Sequence, residues 1–326
     1  MTAMLIAIPD DYQQLVATLD CFKKLGGHDV RVFRGPTLDV TALAHEIGDA
    51  EALVLIRERT TVTAELLAGI PCLRHIAKTG RSTHHIDVAA CTARGITVST
   101  GTHASAHTIA EYTWALILTS RRHIVAQSET MRRGEWLHAL GLGVHGKTLG
   151  IHGFGKIGSL VAAIGKSFGM RVIAWGSDES RNRALAAGCE FAANKGELFA
   201  ESDVLSVNSR LSERSRHSIT VDDLALMKPT ALLVNTARAD IIAPGALVAA
   251  LECGRPGFAA VDVYENEPVL NGAHPLLKMD NVLCTPHGAW IEKEMFENYF
   301  GEAFDNVVNF ARGTPTNIAN QTALTR

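Results

Sequence analysis

The sequence predicts an α/β protein built from two doubly wound parallel sheets. Three observations carry that expectation. Strand-like and helix-like stretches alternate over residues 1 to about 100, a second alternating series runs from 148 to about 290, and a glycine-punctuated turn joins a strand to a helix at 149–158. Alternation of this kind implies crossover helices, hence parallel strands covered on both faces. The length, 326 residues, suits about two domains.

In the first series, 4–8 reads as a strand and 12–24 as a helix ended by Gly26 and Gly27. Residues 30–33 follow as strand, 41–47 as helix and 52–56 as strand. A short helix over 63–68 stops at Gly69 and Pro71, and 75–78 and 96–99 close the series as strands. The apolar start, 1–9, carries no basic flank and no cleavage-like small residues, so it reads as the first strand and not as a leader. A single long helix is expected over 105–131. Its apolar positions Ile109, Trp114, Leu116, Ile117, Ile124 and Val125 cover more than one face, which suggests burial between domains or between subunits. Residues 132–147 are polar and glycine-rich and read as a connector.

The second series has strands at 149–152, 172–175, 203–207, 232–235, 259–263 and 282–284. A final helix over 292–311 is expected to return to the first domain. The predicted organisation is a domain of 1–104 completed by 292–326, and a second domain of 105–291.

Composition narrows the function classes. Hydrophobic residues make up 47% and charged residues 20%, with 31 basic against 34 acidic residues and a net charge of −3. That balance offers no basic surplus for nucleic acid or an anionic membrane surface. No apolar run reaches membrane-spanning length. The six cysteines are scattered without a C-x-x-C pair, so neither a metal site nor a disulfide framework is suggested, and reduced thiols in a cytoplasmic setting fit best.

The turn at 149–158 is the strongest motif. Gly153, Gly155 and Gly158 form Gly-x-Gly-x-x-Gly directly between an apolar strand and a helix with Leu160, Ile164 and Phe168 four apart on one face. In that context the first glycine allows the tight turn, the second lets backbone approach a pyrophosphate, and the third lets the helix pack on the strand. Free N–H groups at the helix start, around Lys156 and Ile157, then face the phosphates. This is a dinucleotide-binding fingerprint.

Three further segments follow strands of the same series: Asn235-Thr236-Ala237-Arg238, Asp262 to Pro268, and Thr285-Pro286-His287. Ligands in open parallel sheets sit beyond the carboxyl ends of strands, so Arg238, Glu267 and His287 are expected to converge. Singly, each has an ordinary reading as an ion-paired, surface or structural residue. Together, at consecutive strand ends, they read as a site.

With these motifs the chain resembles the D-isomer-specific 2-hydroxyacid dehydrogenases, which include 3-phosphoglycerate dehydrogenase. The resemblance spans nearly the whole chain and is strongest from Lys147 to Trp290. It rests on Gly-Phe-Gly-Lys-Ile-Gly, Met227-Lys228-Pro229-Thr230-Ala231, Asn-Thr-Ala-Arg, Asp-Val-x-x-x-Glu-Pro and Thr-Pro-His. It implies two Rossmann-like or flavodoxin-like domains with a cleft between them. It also implies a catalytic set of Arg238, Glu267 and His287.

The residue types suit the implied chemistry. Reduction of a 2-keto acid needs a hydride from nicotinamide and a proton on the carbonyl oxygen, which His287 can supply or take back. Glu267, bonded to the other ring nitrogen, would favour the imidazolium. Arg238 offers a planar fork to the substrate carboxylate. The resemblance further implies cofactor contacts from Asn208, Thr236, Ala237, Asp262, His287 and Ala289. It assigns substrate contacts to a first-domain loop, here Lys78 to Thr83 with Thr79, Gly80 and Arg81. Arg81 would pair with an acid or add charge for a second anionic group, with the acid favoured. Arg57 would either face the cleft or sit in a surface ion pair with a nearby acid, with the ion pair favoured, and Trp290 would either pack or wall the substrate pocket.

The cofactor is NAD or NADP. NAD-preferring members carry an acidic residue where this chain has Gly176. Its absence removes a charge that would repel a 2′-phosphate, and Ser177 and Arg181 lie nearby, which favours NADP. Asp178 could instead take the ribose role. A homodimer through the cofactor domain is implied, with the Trp114-bearing helix as its surface. Formate oxidation is disfavoured, because a Glu–His acid/base pair is unnecessary when carbon dioxide is the product. The alternative from another class is an NAD(H)-sensing, corepressor-like binding protein without significant turnover.

Overall fold

The computed structural model describes residues 3–36, 39–103, 105–136 and 140–325. Met1 and Thr2 of the expected first strand, and 137–139 of the expected connector, lie outside the described residues. The chain divides into two compact units, Met1–Ala104 with Ile291–Arg326, and Ser105–Trp290.

The first unit is a five-stranded, all-parallel sheet of β1 (Leu5–Ile8), β2 (Asp29–Val32), β3 (Ala52–Leu55), β4 (His75–Lys78) and β5 (Thr97–Thr100), in the order β2-β1-β3-β4-β5. The central strands β3 and β4 are buried along their whole length, as parallel strands covered on both faces must be. Helices Val40–Ile47, Ala64–Ala68 and Val88–Ala93 each begin at a polar cap, namely Asp39, Thr63 and Asp87, whose side chains accept from the backbone three residues on. The last of these helices has no apolar stripe long enough to be read from sequence. Helix Lys293–Ala311 packs against β4 and turns Met295, Phe296, Phe300, Phe304 and Val307 into the core of this unit.

One expected helix of this unit is not there. Residues 12–24 form two 3-10 turns, Val16–Thr18 and Asp20–Leu25, separated by extended Leu19. Tertiary partners account for the break. The Asp11 carboxylate accepts from Leu15 and Val16 N–H at 3.2 and 3.1 Å, and Glu297 accepts from Asp20 and Cys21 N–H at 2.7 and 2.9 Å. Donors that a continuous helix would turn inward are thus taken by carboxylates.

The second unit is a seven-stranded parallel sheet. Its strands are β6 (Thr148–His152), β7 (Arg171–Trp175), β8 (Glu190–Phe191), β9 (Val204–Val207), β10 (Leu232–Asn235), β11 (Phe258–Val261) and β12 (Val282–Cys284). Their order is β12-β11-β10-β9-β6-β7-β8. Order reverses between β6 and β9, which makes that pair the topological switch point where such sheets bind ligands. Strand β8 is too short to show a period and was not expected.

Two expectations are corrected here. The single helix over 105–131 is two, Ala106–Arg121 and Ile124–Arg132, with His123 between them at φ +51°. Leu142 N–H donates to the Arg121 carbonyl at 2.8 Å, the acceptor Val125 N–H would need for a continuous helix. The buried Arg121 guanidinium then fastens the helix end to the Thr230 and Gly143 carbonyls at 2.8 and 3.3 Å. Trp114 is core of its own unit: its Nε1 donates to Val161 O at 3.0 Å. Helix Lys156–Ser167 buries Gly158, Val161, Ala162 and Gly165, so its inward face is the small-residue stripe. Leu160 and Ile164 lie half-buried on the flank and Phe168 is exposed. Close approach to β6 leaves room only for small side chains on the inner face, which a search for large apolar residues overlooks.

Candidate active site

The glycine turn follows β6 at the switch point. Gly153 has φ +94°, and a Cβ there would lie 2.7 Å from the backbone N and Cα of Ser209. A Cβ on Gly158 would lie 2.4 Å from the Gly153 carbonyl oxygen. Both positions therefore require glycine, the first for conformation and contact, the second for contact alone. Gly155 differs: a Cβ there would meet nothing within 4 Å. It is the N-cap of helix Lys156–Ser167, and no side chain caps that end. The first N–H groups of the helix thus face open space, with Lys156 exposed beside them, the arrangement that receives a phosphate. Asn208, after β9, adds a buried Oδ1 with no hydrogen-bond partner, while its Nδ2 donates to Ser206 O and Oγ. These features fit a dinucleotide.

Beyond β7, Gly176 packs against the next helix: a Cβ there would come within 3.1 Å of Ser180 Cβ and Oγ. The Ser177 hydroxyl is spent capping helix Asp178–Ala186. Arg181 lies over the Phe191 ring at 5.6 Å. Arg183, overlooked in the sequence, reaches the glycine turn instead, its Nε donating to Phe154 O at 2.8 Å while Glu179 holds its guanidinium. Only its position one helical turn after Glu179 hinted at the pair.

The carboxyl ends of β10, β11 and β12 lie side by side. After β10, Asn235 folds the chain back on itself: its Oδ1 accepts from Ala237 N–H and its Nδ2 donates to Arg238 O, both at 3.0 Å. Arg238 Nη1 donates to the Ala237 carbonyl at 2.7 Å. Thr236 is buried and bonds Thr113 Oγ1 at 2.8 Å.

After β11, Asp262 is fully buried. Its carboxylate accepts from Thr285 Oγ1 at 2.5 Å, Gly288 N–H at 2.8 Å and Ala289 N–H at 2.9 Å. Burial pushes this carboxyl above its ordinary range against the pull of those bonds. Asp262 thereby pins both sides of the turn that carries His287, itself at φ +50°. Glu267 Oε2 lies 2.6 Å from His287 Nδ1, and Oε1 accepts from Tyr264 N–H at 2.9 Å. About a third of each of the two side chains is exposed, 29% for His287 and 32% for Glu267, so the pair is fixed yet reachable. Tyr112 lies over Gly288, where a Cβ would come within 2.9 Å of its hydroxyl. Trp290 is buried. Sequence reasoning missed Tyr112 and Thr113, which belong to no motif, and gave Tyr264 no role although it lies inside the Asp262–Pro268 segment, because its partner Thr285 is on another strand.

The structure thus brings Glu267 and His287 together, and sets Arg238 on the same edge of the same sheet. In the first unit, Thr79 Oγ1 accepts from Arg57 N–H at 2.8 Å, and the Arg57 guanidinium lies over the Tyr299 ring at 5.2 Å and against Gly80, which has φ +84°. Arg81 does not pair with an acid: its Nε donates to the Thr102 carbonyl at 2.9 Å. An available backbone acceptor on the neighbouring loop satisfies it.

Comparison with known proteins agrees with this geometry. Residues 114–289 match the model of the D-isomer specific 2-hydroxyacid dehydrogenase NAD binding domain. A glyoxylate reductase of Aeropyrum pernix is 40% identical over 284 residues, covering 84% of each chain. A D-3-phosphoglycerate dehydrogenase of Methanocaldococcus jannaschii is 35% identical over 295 residues; these cover 86% of the present chain but 55% of that longer one. The crystal structure of a phosphoglycerate oxidoreductase from Vibrio cholerae superposes with a TM-score of 0.92 at 47% identity, over 95% of this chain and 99% of that one. This chain belongs to the D-isomer-specific 2-hydroxyacid dehydrogenase family.

Proposed function

We propose that the protein is an NAD(P)-dependent D-2-hydroxyacid dehydrogenase that interconverts a 2-keto acid and its D-2-hydroxy acid. The observation that carries this reading is the Glu267–His287 hydrogen bond of 2.6 Å at the carboxyl edge of a dinucleotide-binding sheet. A bound nicotinamide supplies or takes the hydride. Backbone N–H groups at Gly155, Lys156, Ile157 and Gly158 hold its pyrophosphate, while Gly153 makes the tight turn, its own N–H donating to Trp175 O at 2.8 Å. Asn208, Thr236, Ala237, Asp262 and Ala289 line the rest of the cofactor site.

His287 gives a proton from Nε2 to the substrate carbonyl oxygen during reduction and takes it back during oxidation. Glu267 holds the opposite nitrogen, so Nδ1 carries the bonded proton and Nε2 faces the reaction. Arg238 pairs with the substrate carboxylate. Thr79, Gly80 and Arg81 of the first unit are proposed as further carboxylate contacts. The absence of a carboxylate at Gly176 supports acceptance of NADP beside NAD. The family relatives named glyoxylate reductase and D-3-phosphoglycerate dehydrogenase make small 2-keto acids the substrate class to assay.

Assay of NADH and NADPH oxidation against a panel of 2-keto acids tests the reading. Tight dinucleotide binding with no turnover on any of them would favour the sensing role instead. A homodimer through the second unit is supported by exposed apolar side chains on and after helix Ile124–Arg132, namely Ile124, Val125, Met131, Trp136 and Leu140. Sedimentation of the wild type and of Trp136→Ser tests it. Six free cysteines support a reducing, cytoplasmic setting.

A further inference from the structure

The loop that carries Glu267 and the turn that carries His287 come from different strands, β11 and β12. A hydrogen bond between their side chains needs the two backbones held in register. Tyr264 touches both. Its backbone N–H donates to Glu267 Oε1 at 2.9 Å, which leaves Oε2 for His287. Its phenol, far along the side chain, donates to the Thr285 carbonyl at 3.0 Å. That same carbonyl accepts from His287 N–H at 3.0 Å, a bond that spans Pro286 and ends at His287, whose φ is +50°.

We propose that Tyr264 is a positioning residue that sets the Glu267–His287 pair from both sides, its main chain orienting the carboxylate and its hydroxyl anchoring the carbonyl from which His287 hangs. The inference rests on the reading of His287 as the acid/base. Three further observations support it. The ring is half-buried and meets His274 edge-on at 5.1 Å, and His274 is bonded to Glu265 at 3.0 Å, so the ring has little freedom to swing away. Burial, with Cys284 beside it, raises the phenol above its ordinary range, so it is a protonated donor at neutral pH. The Thr285 side chain is itself committed to Asp262, so the Thr285 carbonyl is a fixed point.

The hydroxyl alone carries the second half of the brace, so Tyr264→Phe is the informative variant. It removes one oxygen atom and keeps the ring against His274. Two measurements separate positioning from simple support of the fold. The first is the downfield proton resonance of the hydrogen-bonded His287 Nδ1–H, assigned with His287→Gln, in the protein without any substrate. The second is the split between kcat and KM with the best 2-keto acid. Expected for Tyr264→Phe is a broadened or lost Nδ1–H resonance, kcat lower by roughly tenfold, the size of one lost hydrogen bond, and KM unchanged. An unchanged resonance together with unchanged kcat would overturn the proposal. So would a fall in thermal midpoint with the resonance intact, which is what a merely structural tyrosine gives. Because the resonance is read without turnover, it also decides the question if the wild type proves inactive on every acid tested. Should the phenylalanine variant fold poorly, Tyr264→Leu, which also removes the hydroxyl and keeps the backbone N–H, takes its place: a sharp Nδ1–H resonance in folded Tyr264→Leu would overturn the proposal, and a broadened or lost one supports it.

Discussion

Glu267 Oε2 stands 2.6 Å from His287 Nδ1, although the two residues leave different strands and twenty positions separate them. The bond holds one nitrogen of the imidazole, and in the proposed mechanism the other serves the substrate. Replacing Glu267 with Gln keeps a hydrogen-bonding group but removes the charge. We predict that Glu267→Gln lowers kcat by about tenfold to a hundredfold, the range for a charge-assisted bond of roughly 1.5–3 kcal/mol. Steady-state kinetics at saturating keto acid check it, and kcat within twofold of wild type would remove Glu267 from the mechanism.

Arg238 is expected to act on the substrate carboxylate. Arg238→Gln removes the charge, the planar fork and the Nη1 donor to Ala237 O. It should lower kcat/KM by roughly tenfold to a hundredfold, mostly through KM. Dinucleotide affinity, followed by fluorescence, should change little by comparison. A variant that loses cofactor affinity and leaves KM alone would assign Arg238 to the cofactor.

The glycine turn makes a stability prediction. A methyl group at Gly158 would sit 2.4 Å from the Gly153 carbonyl oxygen, a backbone atom that cannot swing aside. Gly158→Ala should destabilise the second unit by about 1–3 kcal/mol through overpacking and weaken dinucleotide binding with it. Gly155→Ala, whose Cβ meets nothing within 4 Å, should melt close to wild type while still weakening the dinucleotide. Thermal melts and dinucleotide titrations separate the two cases, and equal loss of stability in both would contradict the assignment.

Cofactor choice is expected to turn on Gly176. Wild type is predicted to use NADPH at least as well as NADH, and Gly176→Asp combined with Ser180→Ala to lower the NADPH/NADH ratio of kcat/KM by about tenfold or more through charge repulsion with the 2′-phosphate. The serine change removes Oγ, one of the two Ser180 atoms that a new Cβ would meet at 3.1 Å. An unchanged ratio would place 2′-phosphate recognition elsewhere, and Arg183 at the glycine turn is the next residue to vary.

Buried histidines set the acid limit of the fold. Burial lowers His75 to about 3, and His152 and His85 to about 4, all below the ordinary imidazole value. In each case the unfolded chain binds the proton more readily than the folded one. Stability therefore is fully present above about pH 6.5 and is lost as pH falls towards 4, by up to about 1 kcal/mol per pH unit for each histidine. Urea unfolding between pH 7 and pH 5 checks this, and His75→Phe, which keeps the stack on Phe310, should flatten the slope.

Much of this was legible in the chain. Strands of the second unit stand out because parallel strands are buried on both faces and read as short apolar runs, and Gly153, Gly155 and Gly158 mark the turn by their spacing. What escaped notice depends on partners distant in sequence. Residues 12–24 lost their helix to Asp11 and Glu297, and 105–131 was divided because Leu142 took the Arg121 carbonyl. The site followed the same division. Glu267 and His287 sit in recognisable motifs. Tyr264 lies in the same Asp262–Pro268 segment, yet its bond to the Thr285 carbonyl on another strand leaves no local pattern.

The most direct test is turnover itself: oxidation of NADH and NADPH by wild type and His287→Ala across small 2-keto acids, with chiral analysis of the product. The account predicts that at least one acid is reduced to the D-hydroxy acid and that His287→Ala slows it by roughly two to four orders of magnitude. Near-normal turnover in His287→Ala, or a wild type that binds dinucleotide tightly and reduces none of them, would contradict it.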